Sequence, residues 1–147
     1  MNITSSAFKH NGTIPSKYGR VYDDINPPLA FTGIPSDAES LVLIVDDPDA
    51  PGGTFTHWLI YNIPAAEVNL GEDEIPAESM EGINGYGEKG YGGPKPPSGT
   101  HRYFFKLYAL DDELDLPEGV KSDELEEAIE GHVITSAELV GNYPAIR

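Results

Sequence analysis

The chain contains no cysteine among its 147 residues. Composition therefore excludes disulfide bonds, thiolate metal sites and a cysteine nucleophile. Basic residues are also scarce, because 9 Lys and Arg stand against 25 Asp and Glu, giving a formal net charge of −16 at pH 7. A surface of this sign repels the phosphate backbone of DNA and RNA, so we expect no nucleic-acid partner.

The chain also lacks a long apolar run. None approaches the ~20 apolar residues that a membrane-spanning helix needs. The first ten residues, MNITSSAFKH, lack the basic start and apolar stretch of a secretory signal peptide. We therefore expect a cytoplasmic protein with no stable membrane insertion. The length, without an internal linker, indicates one domain over residues 1–147.

Apolar runs rich in β-branched and aromatic residues are present, and they indicate strands. Three strong candidates lie at residues 41–45, 57–63 and 103–110, with weaker ones at 3–8 and 28–31. The first strong run, LVLIV, is apolar at every position, which is typical of a strand buried on both faces. The 13 prolines and 16 glycines, found mostly between these runs, indicate a β-rich domain with long ordered loops.

One helix is predicted late in the chain. Ser122 or Asp123 can cap it, and Asp123 with Glu126 matches a capping box. We expect the helix to continue to about Ile134, with Gly131 ending or bending it, and a short closing strand to follow. Most of the acidic excess lies in this region, since ten acids and one base occupy residues 111–130. Such a run is typical of a solvated helix face.

A glycine-rich stretch at residues 84–103 reads NGYGEKGYGGPKPPSGTHRY. Gly85, Gly87 and Gly90 match the spacing G-x-G-x-x-G of dinucleotide-binding loops, which must follow a strand and open a helix. Here the preceding residues are polar, and the three prolines that follow exclude a regular helix. The spacing therefore does not indicate a nucleotide site. The stretch is instead predicted to be a rigid, basic loop leading to a strand that begins at His101.

Two histidines stand at the starts of predicted strands. Alternation places His101 and Tyr103 on one face of their strand and Arg102 on the other. His57 heads the second strand and follows the acidic turn DDPDAPGG. Because loops converge at strand ends, this repeated arrangement is compatible with a shared site, but histidines that serve only in packing are common and explain the spacing equally well.

Five motifs in order carry a family likeness: NPPLAF (26–31), DDPDAP (46–51), HWLIYNIP (57–64), GYGGPKPPSGTHRYFF (90–105) and GHVITSAELVGNY (131–143). Together they resemble the phosphatidylethanolamine-binding protein family, also called Raf kinase inhibitor-like, in its bacterial and archaeal branch. The resemblance covers nearly the whole chain. It implies a mainly β fold, a β-sandwich of two packed sheets with a small helical part near the C-terminus.

The resemblance also implies a small surface pocket that holds phosphate, acetate or a phosphorylated head group. Carried over by motif, the ligand-binding residues would be Asp47, His57, Gly93, Pro94, His101 and Tyr103, with a backbone N–H near Gly93 as one donor. Two imidazoles and a phenol supply further donors, and an aspartate can fix a histidine tautomer. Because a small oxyanion favours protonated histidine, affinity should rise as pH falls toward ~6.5.

Other residues are expected to support that pocket. Asp49 and Pro51 would shape the turn, and Arg102 would tie the turn down through its guanidinium group. Lys89 and Lys95 can place positive charge at the rim, although solubility alone explains them equally well.

The resemblance implies a binding protein that modulates or inhibits kinases or proteases, with a possible homodimer, no cofactor and no catalysis of its own. The alternative is a metal-dependent hydrolase or oxygenase in which His57, His101 and Asp47 form a two-histidine, one-carboxylate site. Against this alternative, the chain has no short-spaced ligand pair such as H-E-x-x-H. It also lacks the G-x-S-x-G motif of serine hydrolases.

Overall fold

The fold is taken from a computed structural model that describes residues 1–146. Within them a three-stranded antiparallel sheet contains β1 (Asn2–Thr4), β3 (Leu29–Thr32) and β6 (Val68–Leu70), in the order β1-β3-β6. A six-stranded sheet contains β2 (Gly12–Thr13), β4 (Ser40–Asp47), β5 (Phe55–Pro64), β7 (Met80–Glu81), β8 (Thr100–Leu110) and β9 (Val133–Pro144). Its order is β2-β9-β8-β4-β5-β7.

The main core lies between the two sheets. The larger sheet contributes every second side chain of its central strands, including Leu43, Trp58 and Phe105. The smaller sheet contributes Leu29 and Phe31. All eight residues of β4 are buried, which confirms the prediction that this strand is covered on both faces.

A second core covers the other face of the large sheet. The helix α1 (Ser122–Ile129) buries Leu125 and Ile129 against outward-facing side chains of the sheet, such as Val42 and Leu59. The mainly β sandwich with a small late helix is thus confirmed. No helix within residues 1–146 is long and apolar enough to cross a membrane.

The helix differs in detail from its prediction. Lys121 occupies the N-cap position, and the Glu124 carboxylate accepts its backbone N–H at 3.2 Å. The helix ends at Ile129 rather than near Ile134, because Gly131 turns the chain at a φ of +81°.

The last strand is longer than predicted. The expected short strand is a twelve-residue strand, β9, which pairs with β8 along that strand's whole length. The first strand is shorter, since residues 3–8 were predicted and β1 spans Asn2–Thr4. Phe8 nonetheless joins the core from the loop that follows β1.

Candidate functional site

A cavity of about 150 Å³ opens at one end of the large sheet. It lies where β5 and β8 begin and β4 ends, with the loop before β8 closing one side. The lining residues are Asp47, Ala50, Pro51, Phe55, His57, Tyr86, Lys95, Pro96, Pro97, His101 and Tyr103. The structure thus brings together four residues expected to bind a ligand: Asp47, His57, His101 and Tyr103.

His101 reaches the cavity by simple strand alternation. In β8, His101, Tyr103 and Phe105 are buried on the inner face, as the sequence predicts, while Arg102 is exposed. His101 Nδ1 lies 2.6 Å from a carboxylate oxygen of Asp47, and both side chains are buried. Because a carboxylate can only accept, Nδ1 carries the proton, and Nε2 is the nitrogen left for a ligand.

His57 reaches the cavity through an irregularity in β5. Val45 pairs with Trp58 and Asp46 pairs with Thr56, so His57 is an extra residue with no partner on β4. A bulge of this kind breaks the alternation of side chains. His57 and its neighbour Trp58 therefore both face inward, where regular pairing would turn one of them to the opposite face.

Burial and one backbone contact set the charge of His57. The ring is 3% exposed, and its Nδ1 lies 2.7 Å from the carbonyl oxygen of Gly92. A carbonyl accepts only, so Nδ1 donates and Nε2 is unprotonated in the neutral ring. Burial lowers the pKa of His57 below its ordinary value, although the Gly92 carbonyl and the charge of Asp47 act in the opposite direction. At neutral pH the ring is uncharged.

Tyr103 carries an unpaired polar group at the cavity. Its side chain is 1% exposed, and its hydroxyl has no hydrogen-bond partner within residues 1–146. The ring lies edge-on to His57, with 5.0 Å between the ring centroids. Burial raises the pKa of Tyr103, and the nearby charge of Asp47 adds to the effect. The hydroxyl is therefore neutral and makes no hydrogen bond of normal geometry within residues 1–146, although the Asp47 carboxylate that accepts from His101 lies nearby.

Two aromatic rings form the wall beside His57, and the sequence reasoning missed both. Phe55 lies 4.9 Å from His57 and 4.8 Å from Tyr86, measured between ring centroids. The guanidinium carbon of Arg20 lies over the Tyr86 ring, 4.1 Å from its centroid, and the Tyr86 hydroxyl donates to the Gly93 carbonyl at 2.8 Å. Burial raises the pKa of Tyr86 to about 12. Side chains alternate along a strand, so Phe55, two residues before His57, could have been expected on the same face. No local feature of the sequence identifies Tyr86.

Arg102 bonds to the acidic turn at Asp49. The Arg102 side chain donates to both carboxylate oxygens of Asp49, from Nε at 3.0 Å and from a terminal nitrogen at 2.8 Å. The Arg102 backbone N–H donates to the same carboxylate at 2.9 Å. These bonds lower the pKa of Asp49 to about 2. Pro51, expected only to shape the turn, lines the cavity itself.

Gly93 and Pro94 occupy other positions than expected. Neither lines the cavity, and the Gly93 N–H donates to the Asp24 carboxylate at 2.7 Å instead of facing a ligand. A side chain at Gly93 would overlap the backbone of Tyr18, so close chain crossing explains the glycine. The Pro94 carbonyl accepts the backbone N–H of Arg20 at 2.9 Å.

The two rim lysines have different surroundings. Lys95 lines the cavity, together with Pro96 and Pro97. Lys89 lies instead near Glu118, with 3.6 Å between the charged groups, and does not line the cavity. Gly85, Gly87 and Gly90 lie in a loop that leads directly into β8, and no helix lies between them and that strand.

The metal-site alternative finds no support in the geometry. No group of three or more His, Asp or Glu side chains in the described part of the chain is arranged to hold a metal ion. Asp47 bonds to the ring of His101 rather than standing beside it as a further ligand, and His57 is oriented by a carbonyl.

Comparisons with known proteins agree on the family. A family model described as phosphatidylethanolamine-binding protein matches residues 4–144. A UPF0098 protein from Methanothermobacter thermautotrophicus is 49% identical over 148 residues, which cover 97% of this chain and 98% of that relative. A UPF0098 protein from Chlamydia muridarum is 46% identical, with the same coverage of both chains.

Two solved structures share the fold. A phosphatidylethanolamine-binding protein homologue from Chlamydia trachomatis superposes with a TM-score of 0.93 at 43% identity, covering 99% of this chain and 97% of that one. Escherichia coli YbcL, described as a new member of the mammalian family, gives 0.91 at 28% identity, covering 99% and 98%. The match along nearly the whole sequence and the agreement in fold lead to one conclusion: the chain belongs to the phosphatidylethanolamine-binding protein family.

Proposed function

We propose that the protein binds a small oxyanion, such as phosphate or the phosphorylated group of a monoester, and that it thereby modulates partner proteins. The observation that carries this proposal is a set of polar groups around one cavity that make no hydrogen bond within residues 1–146. These are the Tyr103 hydroxyl and the Nε2 atoms of His57 and His101. Three converging groups on buried, oriented side chains are typical of a ligand site.

Each group has a distinct role in binding. The Tyr103 hydroxyl donates to one ligand oxygen and gains the partner that it lacks in the free protein. His101 presents Nε2 to the ligand, because Asp47 already accepts from Nδ1. Neutral His57 accepts a hydrogen bond at Nε2, which suits a ligand oxygen that carries a proton. Lys95 adds positive charge at the rim.

This division of roles makes binding depend on pH. Protonation of a cavity histidine supplies both a donor and a positive charge, so affinity rises as pH falls from about 8 to about 6. Titration calorimetry with inorganic phosphate in two buffers of different ionisation enthalpy measures the protons taken up on binding. We expect net proton uptake; binding that is independent of both pH and buffer would contradict the proposed histidine role.

A matched pair of variants tests the site. His101→Ala should abolish saturable binding of inorganic phosphate and of phosphoethanolamine. His132→Ala is the control, because His132 is exposed and bonds to Asp111 at 2.8 Å instead of lining the cavity. Phosphate binding by the His101→Ala protein as tight as by wild type would reject the cavity as the site.

The proposed effect on partners is inhibition or modulation of kinases or proteases. Support comes from the family and from the cavity's position at the surface, where a protein-borne phosphate can enter it. Purified wild-type protein, added to a lysate of its host, should inhibit the kinases or the proteases of that lysate. The rate of γ-phosphate transfer from ATP to protein, or the rate of casein hydrolysis, should therefore fall with the wild-type protein and not with His101→Ala. If the lysate alone, the lysate with wild-type protein and the lysate with His101→Ala all give the same rates, this role is rejected.

A further inference from the structure

The outer edge of β9 is bonded at one end and open at the other. Ala145 donates its backbone N–H to the Gly99 carbonyl at 2.8 Å, which identifies the hydrogen-bonded pairs of the β8–β9 ladder. Since hydrogen-bonded pairs alternate with non-bonded ones, residues 136, 138, 140 and 142 direct their backbone groups away from β8.

The bonded end confirms this orientation. The Val140 carbonyl accepts the Asn11 N–H at 2.7 Å, and the Asn142 carbonyl accepts the Ile14 N–H at 2.8 Å. The Val140 N–H donates to the His10 ring at 3.0 Å. The segment around β2 therefore completes the edge at this end of β9.

Within residues 1–146 no strand is hydrogen-bonded to the other end of this edge, although β1 packs close to β9. β2 pairs only with Gly141 and Asn142. Within residues 1–146 the outward N–H and C=O groups of Ser136 and Glu138 make no hydrogen bond. Both side chains are exposed. A row of unpaired backbone groups at a strand edge is a template on which a further strand can add.

Acidic side chains flank the open edge. Glu138 lies on the edge itself, two residues after Ser136, and is exposed. Glu126 on α1 is also exposed and lies near enough to Tyr108, the residue that pairs with Ser136, for its charge to act there. Neither glutamate forms a salt bridge in the described part of the chain. Lys106, which lies opposite Glu138 in the strand register, is bonded to Asp46 at 2.8 Å.

Apolar side chains are also exposed at this edge. Val133, at the start of β9, is 43% exposed, and Ile134 is partly exposed beside it. The edge therefore combines backbone groups, two free carboxylates and aliphatic side chains. A partner strand that alternates basic and aliphatic residues complements all three features.

We propose that the β9 edge over residues 133–139 binds a basic, extended segment of a partner protein, which adds to the sheet as a further strand. A second copy of this chain fits the edge poorly. Two copies would bring the same glutamates together, and each chain carries a net charge of −16.

Synthetic peptides test the proposal without knowledge of the natural partner. The probe is a capped peptide of about six residues that alternates lysine and valine. One control peptide replaces lysine with glutamate, and another carries N-methyl groups on alternate amides, which prevents strand pairing. We expect saturable binding of the lysine peptide, measured by backbone amide chemical shifts, with each control at least about tenfold weaker.

Variants locate the binding on the edge. Ser136→Pro removes an outward N–H without removing a bond to β8, and should weaken binding of the lysine peptide at least about tenfold. Ser136→Ala keeps that N–H and should bind as wild type does. If Ser136→Pro does not fold, Glu138→Lys combined with Glu126→Lys should instead reverse the preference between the lysine and glutamate peptides.

Three results would overturn the proposal. These are equal binding of the two charge variants of the peptide, full binding of the N-methylated peptide, and shifts confined to residues away from β9. A wild-type dimer that Ser136→Pro converts to a monomer would assign the edge to a second copy and would also reject the basic partner. His101→Ala should leave peptide binding intact, so this proposal and the anion-binding proposal fail independently.

Discussion

Replacing Tyr103 with phenylalanine should raise stability and lower anion affinity together. The buried hydroxyl makes no hydrogen bond in the described part of the chain, and an unpaired buried polar group costs about 1–3 kcal/mol. Removing the hydroxyl recovers part of that cost and keeps the ring that packs against His57. We expect a gain of about 1 kcal/mol in the free energy of unfolding. For a chain of this size, that gain raises Tm by about 2–4 °C.

The same substitution removes a donor from the proposed site. A hydrogen bond to a charged group is worth about 1.5–3 kcal/mol, so phosphate should bind the Tyr103→Phe protein about ten to a hundred times more weakly. Scanning calorimetry in phosphate-free buffer gives Tm, and titration calorimetry gives the affinity. Tyr143→Phe is the matched control, because its hydroxyl donates to the Ser16 carbonyl at 2.9 Å. That control should lose about 1 kcal/mol of stability and keep its affinity. A lower Tm for Tyr103→Phe, or an unchanged affinity, would refute the reasoning.

Three further predictions concern stability, each followed by thermal or urea unfolding. Gly93→Ala should lower the free energy of unfolding by at least about 2 kcal/mol, because a Cβ there would overlap a neighbouring backbone carbonyl. Gly52→Ala is the control: a Cβ there meets open space, and the free energy of unfolding should change by less than about 0.5 kcal/mol. Lys106→Met leaves the buried Asp46 carboxylate without its partner and should cost about 2 kcal/mol at pH 7. Burial already raises the pKa of Asp46, so this loss should shrink as pH falls and the carboxyl is protonated; a loss equal at pH 7 and pH 4 would contradict it. Because the pKa of His57 is lowered in the folded protein, the unfolded chain takes up a proton at a higher pH than the folded one does. The free energy of unfolding should therefore fall by up to about 1.4 kcal/mol per pH unit below about 6.5. The His57→Gln protein should lack this pH-dependent loss.

Side-chain alternation was enough to predict the β8 half of the site. His101 and Tyr103 face the cavity and Arg102 faces away, as period two requires. The bond from Arg102 to Asp49 was also predictable once the resemblance paired the two motifs. These predictions succeed because they depend on local geometry within a regular strand.

The β5 half could not be derived in this way. Strict alternation places His57 and Trp58 on opposite faces, and only the pairing of β5 with β4 reveals the bulge that brings both inward. A bulge is a property of two strands in register. The sequence of one strand therefore does not specify it.

Long-range contacts also explain the other errors. The family motif predicts that Gly93 contacts a ligand, but the glycine is required where the chain crosses residues 18–20, more than seventy positions earlier. The β9 sequence, VITSAELVGNYP, is compatible with part helix and part strand. It forms a strand throughout because it pairs with the whole length of β8. Tertiary pairing outweighs weak local preference at such places.

The two histidines of the cavity are oriented by different kinds of acceptor, and this difference bears on how an acidic protein can hold an anion. The His57 ring is fixed by a neutral backbone carbonyl, whereas the His101 ring is fixed by the carboxylate of Asp47, which lines the same cavity. An anionic ligand meets that carboxylate as well as the negative charge of the whole chain. The Asp47–His101 pair can offset both when the imidazole takes up a proton, because the pair then carries no net charge and presents an N–H to the ligand. For the anion site proposed above, a neutral Asp47–His101 pair of this kind would take the place of a fixed cationic cluster.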